Sequence, residues 1–394
     1  MISYLQFEIV SAIIFAIILA VFVFSQRKKI VIDKILFPFL YLVRWKTKLG
    51  IKSMTKYGSK YKGLIQLFGY SSIGIAVLGL LWIFISLFYG LYLSIVSPGG
   101  AASVSLVLPF KEVPGLGMLG FWHWIIAIFL LAIVHEFSHG IVAASHDIPV
   151  KNSGPAIFGV ILPFLPAAYV EPDEEIMQKK PAFARYSIIA AGPVSNIIFG
   201  LIFFVILLVV LNPIEASISE PIAFSFQAVD DKSPAGKVLG TEKAVFDQID
   251  NVKIVDGNDF YQAIIRKNPG ETITLTNSKE GKSYNITLEK HPESEIIPYI
   301  GIKSIQTERK FLSEMQGSIF SWFRNLVKWL SALNIFIGIA NLLPLGPIDG
   351  GQFLRVFLHE VFPNDKNKAQ RWWMNISFIT LLLLILGFLG PSLF

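Results

Sequence analysis

Long apolar runs with almost no charge dominate this sequence. Residues 187–211 contain no charged residue, and residues 7–25 contain only Glu8. A helix that rises about 1.5 Å per residue needs ~20 residues to cross a hydrocarbon layer ~30 Å thick. Of the 394 residues 53% are hydrophobic and only 16% charged, and the mean hydropathy is +0.59. The sequence therefore predicts a polytopic α-helical membrane protein and excludes an ordinary soluble enzyme.

Six membrane spans are predicted from these runs, at residues 7–25, 64–96, 121–144, 187–211, 320–343 and 372–393. Residues 152–170 are also apolar, but three prolines in that stretch disfavour a straight helix. We therefore predict a re-entrant β-hairpin between the third and the fourth span.

The distribution of basic residues predicts the topology. Eleven of the 34 Lys and Arg lie between Arg27 and Lys62, directly after the first span. The positive-inside rule places such a segment in the cytoplasm, so the loop at residues 97–120 is expected outside. We read the net charge of +6 as this topology signal, and no nucleic-acid partner is predicted.

Residues 212–310 differ in kind from the rest of the chain. Charged residues alternate there with short β-prone runs such as ETITLTNS and SYNITLEK, separated by Gly-containing turns. A small soluble α+β domain is predicted. The chain then divides into an N-terminal span with a basic cytoplasmic loop (1–63), a transmembrane core (64–211), the soluble insert (212–310) and a C-terminal transmembrane region (311–394).

Two histidines lie one helical turn apart within the third predicted span, in His135-Glu136-Phe137-Ser138-His139. Residues i and i+4 share a helix face, so both imidazoles can reach one metal ion, with Glu136 beside them as a general base. The alternative is that these polar groups only join helices. Ionisable groups at membrane depth, however, mark function by default.

A catalytic zinc site needs a third protein ligand, and a chain without cysteine must supply His, Asp or Glu. Asp349 is the best candidate, because Pro and Gly residues break the chain before it and allow its carboxylate to turn inward. The alternative is that Asp349 only caps the next helix. The remaining histidines are predicted at the outer end of the span, in loops or in the insert: His123, His146, His291 and His359.

Three ordered motifs resemble the site-2 protease family of intramembrane zinc metalloproteases, over about residues 121–362. They are the HExxH pattern at 135–139, the Ala-Gly-Pro-x-x-Asn pattern at 191–196 and the Asn-x-x-Pro-x-x-x-x-Asp-Gly pattern at 341–350. The resemblance implies one Zn²⁺ per chain, held by His135, His139 and Asp349, with Glu136 as general base and acid. It also implies that Asn196 and Asn341 place the substrate or stabilise the oxyanion.

The insert is similar to a PDZ domain in Ser-Pro-Ala at 233–235, Val-Asp-Gly at 255–257 and Asn-Pro-Gly-Glu at 268–271, although residues 241–250 depart from its pattern. The topology predicted from the basic residues places this PDZ-like domain outside the cytoplasm. The depth of HEFSH in its span predicts an active site toward the cytoplasmic side of the bilayer.

The function expected from the resemblance is regulated intramembrane proteolysis. The substrates would be single-span membrane proteins such as transcription factor precursors or anti-sigma factors, cut within the lipid bilayer. Two alternatives use the same features: a metal or ion transporter, since broken helices also line ion paths, and a catalytically inactive membrane chaperone or binding protein. Glu136 between the histidines favours the protease, because binding alone needs no general base.

Overall fold

The computed structural model describes residues 4–36, 40–96, 104–113, 115–160, 162–291 and 294–393. A π-helical turn, Leu207–Leu211, links the helix Ala182–Ile206 to the helix Asn212–Ile218. The α-helices are α1 (Tyr4–Ser25), α2 (Ile51–Lys60), α3 (Lys62–Val96), α4 (Phe121–Ser145), α5 (Glu174–Gln178), α6 (Ala182–Ile206), α7 (Asn212–Ile218), α8 (Pro234–Leu239), α9 (Gly257–Ile265), α10 (Glu314–Ala340), α11 (Asp349–Val361) and α12 (Lys366–Leu393).

The strands form five small antiparallel sheets in the described residues. They are β1 (Ile30–Leu36), β2 (Leu40–Trp45), β3 (Glu112–Val113), β4 (Gly117–Met118), β5 (Val150–Val160), β6 (Leu162–Pro172), β7 (Ser219–Ala228), β8 (Ala244–Phe246), β9 (Gln248–Ile249), β10 (Val252–Lys253), β11 (Thr272–Asn277), β12 (Lys282–Thr287), β13 (Glu289–His291), β14 (Ser294–Tyr299) and β15 (Ile302–Phe311).

The chain divides into two compact units. The first consists of Met1–Lys111, Leu119–Ile206 and Asn325–Phe394, and the second of Glu112–Met118 and Leu207–Arg324. The first unit carries all the motifs that predict a metal site. The insert predicted at 212–310 lies within the second unit.

Five helices in the described part of the chain are long and apolar enough to cross a membrane, and they match five of the six predicted spans. They cover Leu5–Ser25, Lys62–Val96, Phe121–Ser145, Ala182–Ile218 and Lys366–Leu389. The remaining predicted span, at 320–343, falls in α10, which carries Glu314, Arg324 and Lys328 and ends at Ala340. The chain is a multi-pass membrane protein, and the count of six spans stays a prediction. In the loop predicted at 97–120, residues 97–103 and 114 lie outside the described residues.

The only charged residue of the first span is buried against the start of α4. Glu8 is 2% exposed, and its Oε2 accepts a hydrogen bond from the backbone N–H of Phe121 at 2.5 Å. The first N–H groups of a helix have no partner inside the helix, and the helix dipole favours a negative charge there. Glu8 thereby fixes α1 against α4.

A four-stranded sheet in the order β1-β2-β5-β6 lies beside α4. Its β5–β6 hairpin is the hairpin predicted at 152–170, whereas its membrane position stays a prediction. The other two strands come from the basic segment after α1, which we expected to be a loop. The β-branched and aromatic residues of both segments explain the difference, because such residues favour strands. In β2 the alternate residues Tyr41 and Val43 are buried, as expected for one face of a strand.

The helix α6 lies at the centre of the first unit, against α3, α4 and α11. Small residues on its buried faces allow this close packing, among them Ala190 and Ala191. Near its N-terminal end, Ser187 Oγ lies within hydrogen-bond distance of His146 Nε2, at 2.9 Å. His146 follows the last turn of α4. These contacts determine where α6 presents its side chains to α4.

The second unit contains the β15-β7-β8 sheet and the β10-β9-β11-β12 sheet around a common apolar core. The predicted runs ETITLTNS and SYNITLEK form the paired strands β11 and β12. The unit is thus of mixed α and β structure, and its likeness to a PDZ domain stays a prediction. The core includes Phe224, Phe226, Phe246, Phe260, Ile273 and Leu275.

Glu308 on β15 gives the second unit a pH-dependent contact. Partial burial favours its neutral form, but hydrogen bonds from Lys243, at 2.7 Å, and from Ser225, at 2.6 Å, outweigh burial and hold the pKa of Glu308 below its usual range. A carboxyl group with a lowered folded-state pKa stabilises the fold above its unfolded pKa of ~4.3. That stabilisation is lost as the pH falls through the folded-state pKa.

We expect Glu308→Gln to destabilise the β7–β15 pairing by about 1 kcal/mol at pH 7, because the ion pair is partly exposed. The difference from wild type should shrink as the pH falls below ~4. Hydrogen exchange of the β7 and β15 amides in the full chain measures this loss of stability. Glu242→Gln, at an exposed side chain, is the control. An equal difference at pH 7 and at about pH 2 would contradict the assignment.

Candidate metal centre

The predicted ligands converge at one point in the first unit. His135 and His139 stand one turn apart on α4, with their Nε2 atoms 3.1 Å from each other. Asp349, the first residue of α11, places Oδ2 2.9 Å from His135 Nε2 and Oδ1 3.5 Å from His139 Nε2. Among the described residues, these three form the only group of His, Asp or Glu side chains close enough to share a metal ion.

The donor atoms fit a tetrahedral zinc ion. Ligands held at ~2.0–2.1 Å around a tetrahedral ion lie roughly 3.3 Å apart. The separations of 3.1, 2.9 and 3.5 Å lie on both sides of that value. Two imidazole nitrogens and one carboxylate oxygen are also a donor set of catalytic zinc sites, which leave one coordination position open.

Neighbouring groups of α6 orient both imidazoles. His139 Nδ1 donates to the backbone carbonyl of Ile188 at 2.7 Å, which leaves Nε2 free to bind a metal. Asn196 Nδ2 lies 3.1 Å from His135 Nδ1. Within the described structure, Asn196 Oδ1 is buried without a hydrogen-bond partner.

A metal-bound His135 explains the role of the Asn196 side chain. An imidazole that binds a metal through Nε2 carries its proton on Nδ1, and that proton needs an acceptor. Rotation of the amide by half a turn brings Oδ1 to the position beside His135 Nδ1. Asn196, which we expected to place substrate or stabilise the oxyanion, therefore contacts a metal ligand, and its expected substrate role stays a prediction.

Gly192 allows α6 to approach the two imidazoles. A Cβ atom at this position would lie 2.4 Å from His139 Nε2 and 2.7 Å from His135 Nε2, well inside van der Waals contact. Pro193 follows inside the helix and removes one backbone donor from this turn. The Ala-Gly-Pro motif thus provides space for the ligands, a role that the sequence pattern alone did not reveal.

The loop between α10 and α11 sets the position of Asp349. The Gly350 N–H donates to the backbone carbonyl of Asn341 at 2.7 Å, and a Cβ atom at Gly350 would lie 2.2 Å from the carbonyl oxygen of Leu342. The helix cap of α11 is Ile348, so Asp349 is not the capping residue that we considered as an alternative. Asn341 takes part through its backbone, and its expected substrate role stays a prediction.

Glu136 links the metal centre to the β5–β6 hairpin. Its Oε2 accepts a hydrogen bond from the backbone N–H of Val170 on β6 at 2.8 Å. A cavity of about 160 Å³ lies at this contact, between α4 and the hairpin. Besides Glu136 it is lined mainly by apolar side chains and by backbone of both strands, including Ile133, Gly154, Ala168 and Tyr169.

The outer edge of β6 faces this cavity. β6 is the last strand of its sheet, and Val170 directs its N–H to Glu136 and away from β5. Backbone direction alternates along a strand, so Ala168 and Pro166 face the same edge. Pro166 has no N–H to donate, which agrees with a position on a sheet edge.

The other four histidines take no part in the metal centre. His123 is buried three turns earlier on α4, His146 follows the last turn of that helix, and His359 lies on α11. His291 belongs to β13 of the second unit. The structure therefore gathers the predicted ligand set and leaves out the alternatives.

Comparisons with known proteins agree with this geometry. The sequence profile of peptidase family M50 matches residues 123–384. A protein of Clostridium acetobutylicum that is named, provisionally, as a zinc metalloprotease is 23% identical over 316 residues, which cover 63% of this chain and 90% of that protein. An uncharacterized protein of Methanocaldococcus jannaschii is 28% identical over 341 residues, 82% of this chain and 79% of its own length.

Gly192→Ala tests the role of the small residue beneath the ligands. The added methyl group has to displace two imidazoles that are held at Nδ1, so we expect zinc affinity to fall by about 10- to 100-fold, as for other disturbed ligand supports. Zinc content and competition with a chromophoric chelator measure the loss. Gly74→Ala on α3, where a Cβ atom meets nothing within 4 Å, is the control, and equal zinc affinity in both variants would refute the role.

Proposed function

The chain belongs to peptidase family M50, and from that premise we propose that it hydrolyses peptide bonds within transmembrane segments of other membrane proteins. The observation that carries the proposal is the convergence of His135, His139 and Asp349. The two histidines and Glu136 lie on α4, which is long and apolar enough to cross a membrane. Family membership supports zinc as the metal and proteolysis as the reaction.

His135, His139 and Asp349 would hold the zinc ion. Zinc bound there supplies a Lewis acid that activates water and polarises the scissile carbonyl group. Glu136 Oε2 is fixed by the Val170 N–H, which leaves Oε1 to accept the proton of the attacking water. The same carboxyl group then donates this proton to the leaving amine.

A transmembrane helix hides its peptide bonds, because each carbonyl group accepts a hydrogen bond from an N–H one turn later. The substrate must therefore unwind before its cleavage. We propose that the unwound segment pairs with the outer edge of β6, where Ala168 presents backbone groups to the cavity beside Glu136. Addition of a strand to an open sheet edge binds the backbone whatever the side chains are.

Single-span regulators are the substrates we propose, such as membrane-tethered transcription factor precursors or anti-sigma factors. The family resemblance supports this class. The basic residues between Arg27 and Lys62 support a cytoplasmic position for that segment. On this basis the active site faces the cytoplasmic half of the bilayer, and the PDZ-like insert lies on the opposite side.

Glu136→Gln tests the chemistry. Glutamine retains the shape of the side chain but cannot accept a proton, so we expect bound zinc to be unchanged and cleavage of a helix-destabilised single-span reporter to fall by about 10²–10⁴-fold. The products are identified by mass spectrometry, and a chelator should abolish the wild-type cleavage. The exposed Glu175→Gln on α5 is the control, and full activity of Glu136→Gln would overturn the mechanism.

Ala168→Pro tests the substrate strand. Proline removes an N–H that faces the open edge and leaves the pairing of β6 with β5 intact, so folding and zinc content should be unchanged. We expect kcat/KM for the reporter to fall by about tenfold, through loss of one backbone hydrogen bond of roughly 1 kcal/mol or somewhat more. Ala168→Val retains the N–H and is the matched control. Equal kcat/KM for the two variants would refute pairing at this edge.

A further inference from the structure

A second cavity, of about 380 Å³, lies in the first unit at the N-terminal ends of α6 and α12. Its lining comes from four helices, α5, α6, α11 and α12. It contains three permanently charged cations and one histidine: Arg185, Arg355, Lys366 and His359. This basic cavity is separate from the metal centre, which needs none of these side chains.

The positive charge of the basic cavity is poorly compensated. Arg185 donates to Glu360 at 2.7 Å, but its Nε atom is buried without a hydrogen-bond partner in the described structure. Neither Arg355 nor Lys366 forms an ion pair with any described residue, and Glu174 is the only acidic residue of the lining. Cations gathered in this way repel one another unless an anion lies between them.

The positive charges around the cavity also act on His359. Burial lowers the pKa of His359, and the charges of Arg355, Lys366 and Arg185 lower it further. A neutral histidine among three cations can donate or accept a hydrogen bond without adding to the repulsion. The cavity thus combines two guanidinium groups, an ammonium group and an imidazole around a space that suits a small tetrahedral anion.

The position of the cavity indicates the kind of anion. Two candidate membrane spans begin beside it, at Ala182 and Lys366, so the cavity lies where helices enter the lipid boundary. Apolar side chains of Met177, Ile189 and Val356 also line it. Basic pockets between helices at this depth suit phosphate headgroups, with apolar lining for the carbon atoms next to the phosphate.

We propose that the basic cavity binds a phosphate group, carried by an anionic phospholipid or by a soluble phosphate ester. Arg185 and Arg355 supply planar donors from α6 and α11, and Lys366 supplies a point charge from the start of α12. The bound phosphate offsets the unpaired charges of Arg355 and Lys366, and through its contacts with Arg185 and Arg355 it joins α6 to α11. These are the helices that carry Asn196 and Asp349, so occupancy stabilises the metal centre two to three helical turns away.

The binding experiment does not depend on proteolysis. The full chain is purified in nanodiscs that contain equal amounts of phosphatidylglycerol and phosphatidylcholine. It is then released into detergent, and native mass spectrometry counts the lipid molecules that each protein retains. Wild type should retain phosphatidylglycerol over phosphatidylcholine. Arg355→Gln/Lys366→Gln should retain about one tenth as much. Glycerol 3-phosphate and inorganic phosphate, added separately at millimolar concentration, test a soluble source.

The control is Lys368→Gln/Arg371→Gln, which also removes two positive charges but takes both from the first turns of α12, outside the cavity. It should retain phosphatidylglycerol as wild type does. Lys366→Gln alone serves as a second test variant in case the double variant misfolds, because it keeps the contact of Arg355 with the Trp373 ring at 5.6 Å. Its retention of phosphatidylglycerol should fall by about threefold.

Competition by glycerol 3-phosphate would support recognition of the phosphate group of a lipid. Binding of soluble phosphate without lipid retention would assign the cavity to a soluble phosphate ester. Equal loss of lipid in both double variants would mean general surface attraction and would overturn the proposal. So would a wild type that binds neither lipid nor phosphate.

Discussion

The pairing of two imidazoles with one carboxylate inside an apolar helical layer is the constraint on which the rest of the structure depends. A polar group held away from water is costly unless it has a partner. His135, His139 and Asp349 satisfy one another, and His139 is further held by the Ile188 carbonyl group. Because the ligands come from α4 and α11 and their support from α6, these three helices must meet closely at one level.

That close meeting explains the small and helix-breaking residues around the site. Gly192 leaves room for the imidazoles, and Gly350 leaves room for the carbonyl groups of the preceding loop. The start of α11 is held from α12 as well, where Trp373 Nε1 donates to the carbonyl group of Gly351 at 2.8 Å. A larger residue at any of these glycines would push a ligand or its support out of place, so the motifs describe packing as much as chemistry.

The ligand set could be predicted from the sequence because its signals are local. HEFSH places two imidazoles on one helix face, and the Pro and Gly residues before Asp349 mark a break at the right depth. The strands β1 and β2 were not predicted, since their partner strand β5 lies about a hundred residues later and a run of basic residues is also typical of a cytoplasmic loop. The contact of Asn196 with His135, and the gathering of cations from α6, α11 and α12, depend on tertiary packing that no spacing along the chain encodes.

The contact between Glu136 and Val170 ties catalysis to the position of the hairpin. The same N–H that fixes the carboxylate lies on the outer edge of β6, so a substrate strand bound as we propose would meet the base at one defined point of its register. Residues along such a strand repeat every 3.2–3.4 Å, and a shift by one residue would exchange the backbone groups that face β6. In the proposed complex, the backbone of β6 would therefore set the distance from the first paired residue of the substrate to the scissile bond. Under this proposal, selectivity would follow from how readily a transmembrane segment unwinds at that distance, more than from which side chains flank the bond.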